Sequence, residues 1–195
     1  MYRQNFQEYV KKLYAFLSEA KVITVNEAKA FLRALSIKSD YTDTIVKRLV
    51  SDTSVCKKDN YLMLNCNRSL MEYTDFNCLK GKINALYINL LNQFNCISYE
   101  VKYPCKAVLY NSRTGTALYV FYISENFAND CNLIESLYTT NMTKLSPLNV
   151  ALIINDKVDK KSIELSNNFN VIITFQNNKF TDERKWKSNK VWTNM

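Results

Sequence analysis

Residues 40–51, DYTDTIVKRLVS, decide how the first third of this 195-residue chain is read. Tyr41, Ile45, Leu49 and Val50 follow one another at intervals of four, four and one, which sets apolar groups on one side of an α-helix. Ser39 and Asp40 can both accept from the free amides of a first turn, so the helix is expected to begin there. With those four side chains turned inward, Thr42, Thr44, Lys47, Arg48 and Ser51 remain outside. Hydroxyls and long cations are the groups that bond phosphate oxygens and base edges. They are also the groups that keep an ordinary surface helix solvated, and the sequence leaves both readings open.

Upstream, residues 4–20 place Phe6, Tyr9, Val10, Leu13, Tyr14, Phe16 and Leu17 at helical spacing, which predicts an amphipathic helix. The β-branched residues 22–24 follow, and Thr24 with Glu27 has the spacing of a capping box. A second helix is therefore expected from Val25, burying Ala28, Phe31, Leu32 and Leu35. Downstream, residues 54–64 (SVCKKDNYLML) hold two short apolar runs around KKDN, where Asp and Asn suit a tight turn. Helix, capped helix, polar-faced helix and hairpin are the order of parts in a winged helix. In that arrangement the third helix enters the major groove and the hairpin touches the flanking backbone. Thr42, Thr44, Lys47 and Arg48 are the expected base and phosphate contacts. Lys57 and Lys58 are the expected wing contacts.

Charge points the same way. The chain carries 26 Lys and Arg against 18 Asp and Glu, a net +8 that favours polyanionic partners. The excess lies at the ends: residues 1–66 hold 11 basic and 7 acidic groups, 67–180 hold 11 and 9, and 181–195 hold 4 and 2. In the last stretch, TDERKWKSNKVWTNM, Trp186 and Trp192 alternate with Arg184, Lys185, Lys187 and Lys190. Such interleaving can stack on bases and screen phosphates; the plainer reading docks the tryptophans on the preceding domain.

Absences exclude most common catalysts. Without histidine there is no Ser-His-Asp or Cys-His machinery and no imidazole-bound zinc. Gly81 and Gly115 are the only glycines, so neither a GxxxxGK phosphate loop nor a GxGxxG dinucleotide turn can be written. Cys56, Cys66, Cys78, Cys96, Cys105 and Cys131 form no CxxC pair, and they read as reduced apolar side chains in or near a core. No cofactor and no metal site are expected. The first sixteen residues are too polar for a signal peptide and no run reaches membrane-spanning length, so a cytoplasmic location is expected.

Beyond a polar stretch at 67–73, Leu79, Ile83, Leu86, Tyr87, Leu90, Leu91 and Phe94 mark another helix. Its apolar face suits a core, or a homodimer through Leu79, Ile83, Leu86 and Leu90. The period then changes to that of strands at 97–103, 106–110 and 117–124. A helix is expected at 126–138, a strand at 150–154, a short helix at 159–166 and a strand at 171–175. The expected architecture is thus α+β: a winged helix over 1–66, a mixed-sheet α/β domain over 67–180 and a basic aromatic tail over 181–195.

The αβββαβ order of 70–154 resembles the core of the restriction-endonuclease-like fold. That resemblance implies a Pro-Asp near the second strand and an acidic-x-Lys on the third, where a divalent metal would be held. Pro104-Cys105 and Tyr119-Val120-Phe121 stand at those positions, so the domain is expected to be catalytically dead. A winged helix joined to such a domain resembles replication-relaxation proteins of Gram-positive plasmids and conjugative elements. The resemblance implies a DNA-binding accessory or regulatory role. Two other readings stay open: a protein-interaction module with an unknown partner, and a metal-dependent nuclease using Glu100, Glu125 and Asp130 with Lys102 or Lys106.

Overall fold

The computed structural model describes residues 2–64, 71–141, 149–163, 169, 171–176 and 179–182. It is an α+β protein whose contacts divide it into two units, residues 1–92 and 93–195. The first unit runs α1 (Tyr2–Ala20), β1 (Val22–Thr24), α2 (Val25–Ala34), α3 (Ser39–Val50), β2 (Val55–Lys58), β3 (Tyr61–Leu64) and α4 (Met71–Asn89). Its three strands pair in the order β1-β3-β2, both pairings antiparallel.

Local chemistry accounts for the breaks between these elements. Lys21 takes φ 66°, a left-handed turn that ends α1 while its amide still donates to the Leu17 carbonyl at 2.7 Å. The capping box then forms: the Glu27 amide donates to Thr24 Oγ1 at 3.0 Å and the Thr24 amide to Glu27 Oε2 at 2.6 Å. Ala28, Phe31 and Leu32 are buried as expected, whereas Leu35, just past the helix end, is half-buried. The hairpin turns through Asp59 and Asn60, with Asp59 at φ 52°, a conformation that Asp tolerates better than most residues.

Two expectations change in this unit. In α3 the inward set is Thr42, Ile45, Val46 and Leu49, whereas Tyr41 is 54% exposed. The helix begins one residue earlier than its cap candidates imply, with Lys38 as the flanking residue and no side-chain cap bond. Thr42 can be buried because its hydroxyl donates to the Ser39 carbonyl at 2.7 Å, satisfying itself within the helix. A tyrosine at that site would have to bury a phenol.

The second change concerns α4, which the sequence reading assigns to the second domain. By contacts it belongs to the first unit, so the division falls at 92/93 rather than 66/67. Tyr87 meets Phe16 and Phe31, ring centres 5.5 and 6.2 Å away, and those two rings stack on each other at 4.9 Å. The fully buried Asn84 donates to Glu27 Oε1 at 2.8 Å, so one carboxylate caps α2 and anchors α4. Burial of this polar pair costs little because each partner is satisfied. Gly81 lies mid-helix with open space around it, neither a break nor a close helix contact.

The second unit contains β4 (Cys96–Ser98), β5 (Ala107–Tyr110), β6 (Ala117–Ile123), α5 (Phe127–Asn141), β7 (Asn149–Ile154), a 3-10 turn at Lys160–Ser162, β8 (Val171–Gln176) and β9 (Lys179–Asp182). The six strands pair in sequence order; β6, β7 and β8 are mutually parallel, and the other neighbours are antiparallel. Val150 to Ile154 is buried at five successive positions and lies between two parallel neighbours. That lack of alternation marks a strand covered on both faces. At the β5–β6 turn, Gly115 takes φ 70° and its amide donates to the Asn111 carbonyl, a geometry that favours glycine.

Departures here are smaller. The expected strand at 97–103 is only Cys96–Ser98, and the helix expected at 159–166 is, where described, a single 3-10 turn. Strand β9 was not anticipated, and it carries the sheet past the expected boundary at 180. The basic aromatic residues Arg184, Lys185, Trp186, Lys187 and Trp192 lie outside the described residues. Among the described residues no helix is long and apolar enough to cross a membrane.

Candidate nucleic-acid interface

The first unit leaves the outer side of α3 uncovered. Thr44, Lys47 and Arg48 are exposed, as expected; Thr42 is not, and it leaves the candidate set because its hydroxyl is committed to the helix backbone. Tyr41 takes its place on the surface. Successive side chains at 41, 44 and 48 lie on one helical stripe, and those at 40, 43 and 47 on the adjacent one. The stripes differ electrically. Asp43 is paired with Lys29 of α2 at 2.7 Å, and this ammonium, with Lys47 behind it, holds the Asp43 carboxyl below the usual range. The other stripe offers an aromatic ring, a hydroxyl and a guanidinium without a carboxylate.

Charges along α3 also have a local cause. Asp40 lies in the first turn, and Lys47 and Arg48 in the last, the arrangement that complements the helix dipole. The guanidinium of Arg48 reaches Ser51 Oγ at 3.4 Å. A groove of about 450 Å³ opens beside it, lined by Phe6, Val10 and Lys11 of α1 and by Arg48, Ser51 and the 52–53 turn. Asp52 on its rim accepts from the Ser54 hydroxyl at 2.6 Å and its amide at 2.9 Å, which lowers its pKa, with a smaller contribution from Arg48.

Lys57 and Lys58 are both exposed, but they belong to β2 itself rather than to a projecting tip. They oppose Leu62 and Tyr61 across the ladder. The hairpin turns level with the end of β1, where the Asn60 carbonyl accepts from the Val25 amide at 2.8 Å. Since β2 has one neighbour, these lysines also serve the ordinary purpose of charging a sheet edge against further pairing.

In the second unit the two stretches matched to nuclease positions do meet. Cys105 Sγ lies 3.1 Å from the Ala107 carbonyl and 3.5 Å from that of Val120, on β6. Burial raises the Cys105 pKa, and it packs with Tyr119 against a cluster containing Phe121, Cys131, Ile134 and Leu152. Apolar and thiol groups thus fill that end of the strand pair. Two of the acidic alternatives are engaged in other contacts: Glu125 pairs with Lys157 at 3.0 Å, and Asp130 accepts from the Ser124 amide and hydroxyl at 2.7 and 2.6 Å. Glu100 follows β4, which β5 separates from β6. Lys106 lies over the Tyr103 ring at 5.3 Å, and Lys102 is exposed. Among the described residues no three acidic or thiol groups converge as metal ligands.

The sequence reading missed Tyr41, Lys29 and Lys11. An equal signal was present for the first: the spacing 42, 45, 46, 49 fits a helix face as well as 41, 45, 49, 50 does. The other two depend on which helices become neighbours. No protein-family model matches the chain, and no curated protein resembles it in sequence.

Proposed function

We propose that this chain binds duplex DNA through a winged helix in residues 1–92, with residues 93–195 forming a catalytically inactive, restriction-endonuclease-like partner or assembly domain. The observation that carries the reading is the order α1-β1-α2-α3-β2-β3 with sheet order β1-β3-β2, which leaves α3 exposed beside the hairpin. Thr44, Lys47 and Arg48, with Tyr41 in place of Thr42, would face base edges and phosphates. Lys57 and Lys58 would add backbone contacts from the sheet edge. The antiparallel β4-β5-β6 meander, the α5 crossover and the parallel β7 support the nuclease-like reading; Cys105 and Tyr119, in place of charged metal ligands, support inactivity. The resemblance of that pairing of parts to replication-relaxation proteins supports an accessory or regulatory role in a mobile element.

Titration of a random-sequence duplex at several salt concentrations tests this. Log affinity should fall linearly with log salt, and neutralising Lys57 and Lys58 should flatten the slope by about one to two units for every sequence. Incubation of plasmid with Mg²⁺ or Mn²⁺ should leave it uncut; cleavage would overturn the inactive assignment.

The Tyr41 ring and the short hairpin favour a second reading, a protein-interaction module. A large exposed aromatic is a common anchor at protein interfaces, and a hairpin ending level with β1 offers little reach into a groove. This reading predicts no salt-dependent DNA binding. A homodimer through α4 would draw on Leu79 and Leu90, since Ile83 and Leu86 are already buried in the chain.

A further inference from the structure

We infer that the α1–α3 groove is a second seat for the DNA backbone, with Lys11 as its phosphate contact; this rests on the duplex-binding reading. The groove is open, about 450 Å³, and joins the N-terminal half of α1 to the basic last turn of α3. α3 has 12 residues, so it is about 18 Å long, against a major groove about 12 Å wide. When its N-terminal half faces base edges, its last turn overhangs a sugar-phosphate strand. Two cations then flank that strand: Arg48 from α3 and Lys11 from α1, the latter exposed and without an ion pair among the described residues. Gln7 and Thr53 supply neutral donors, the Ser51 hydroxyl being donated to the Arg48 carbonyl at 2.7 Å, and the partly buried Phe6 and Val10 give an apolar floor of the kind a deoxyribose can rest on. Asp52, the one carboxylate among the described residues of the rim, accepts two bonds from Ser54.

Lys12 provides an internal control. It lies next to Lys11 on the same helix but pairs with Glu8 at 2.8 Å and does not line the groove. In a salt titration with random-sequence duplex, K11A should weaken binding several-fold at low salt and reduce the slope by about one unit, while K12A leaves both unchanged. Equal losses in K11A and K12A, or a wild-type slope in K11A, overturn the groove assignment while leaving duplex binding intact. Absence of salt-dependent binding by the wild-type chain overturns the duplex reading and the groove with it. Amine labelling adds a second measurement: duplex should protect Lys11, and protection by inorganic phosphate at equal phosphate concentration would make the groove a small-anion site instead.

Discussion

Strands β2 and β7 carry the contrast between the two units. Both are short and both contain valine, yet β2 has one neighbour and exposes two lysines, whereas β7 lies between two parallel strands and buries five residues in succession. Position in a sheet, more than residue propensity, decides whether a strand stabilises the fold or presents charge to a partner. The same contrast extends to the helices around them. α3 keeps a polar outer stripe, while α5 of the second unit contributes Cys131 and Ile134 to an apolar cluster with Phe121, against which Cys105 and Tyr119 pack.

The largest effect expected from this contrast is on the stability of the second unit. Leu152 is 1% exposed at the centre of β7, so Leu152→Ala should destabilise by about 2–5 kcal/mol, read from urea unfolding. DNA affinity measured below the transition should be unaffected; a parallel loss of binding would join the two units functionally. On the other side of the comparison, K47A with R48A should lower the salt slope by about two units and weaken all duplexes. Stability should move by less than about 0.5 kcal/mol.

Thr42→Val separates the buried stripe of α3 from the exposed one. Loss of the hydroxyl bond to Ser39 should cost about 1 kcal/mol with no change in DNA affinity. Weaker binding at unchanged stability would return Thr42 to the interface. Gly81→Ala should stabilise the chain by about 0.4–1 kcal/mol, because the position is helical and its surroundings are open. The smallest effect concerns Asp43. Its native pKa is depressed by Lys29, so the contribution of this pair is complete above the ordinary carboxylate range and is lost as pH falls through the lowered native value. Lys29→Met should abolish that part of the acid dependence, measured by unfolding below neutral pH.

Elements governed by neighbours in sequence were legible without coordinates. The Thr24–Glu27 capping box, the β2–β3 hairpin and the turn before Gly115 each depend on residues a few positions apart. The face of α3 was less legible, since two registers of its apolar residues compete and only packing selects Thr42 and Val46 over Tyr41. For the candidate interface, Thr44, Lys47, Arg48, Lys57 and Lys58 were recognisable as exposed cations and hydroxyls, whereas Lys11 and Lys29 gained significance only from helices brought beside them.

By itself the sequence determined an α+β chain with a basic first third, and a capped helix leading into a polar-faced one, because capping bonds and helical periodicity act over three or four residues. Tertiary structure decided that α4 joins the first unit, through the Phe16–Phe31–Tyr87 contacts and the Asn84–Glu27 bond, residues separated by up to seventy-one positions. It also decided which side of α3 faces outward. A threonine that can bond its own helix backbone accepts burial there, and a tyrosine hydroxyl is left to solvent or to a partner.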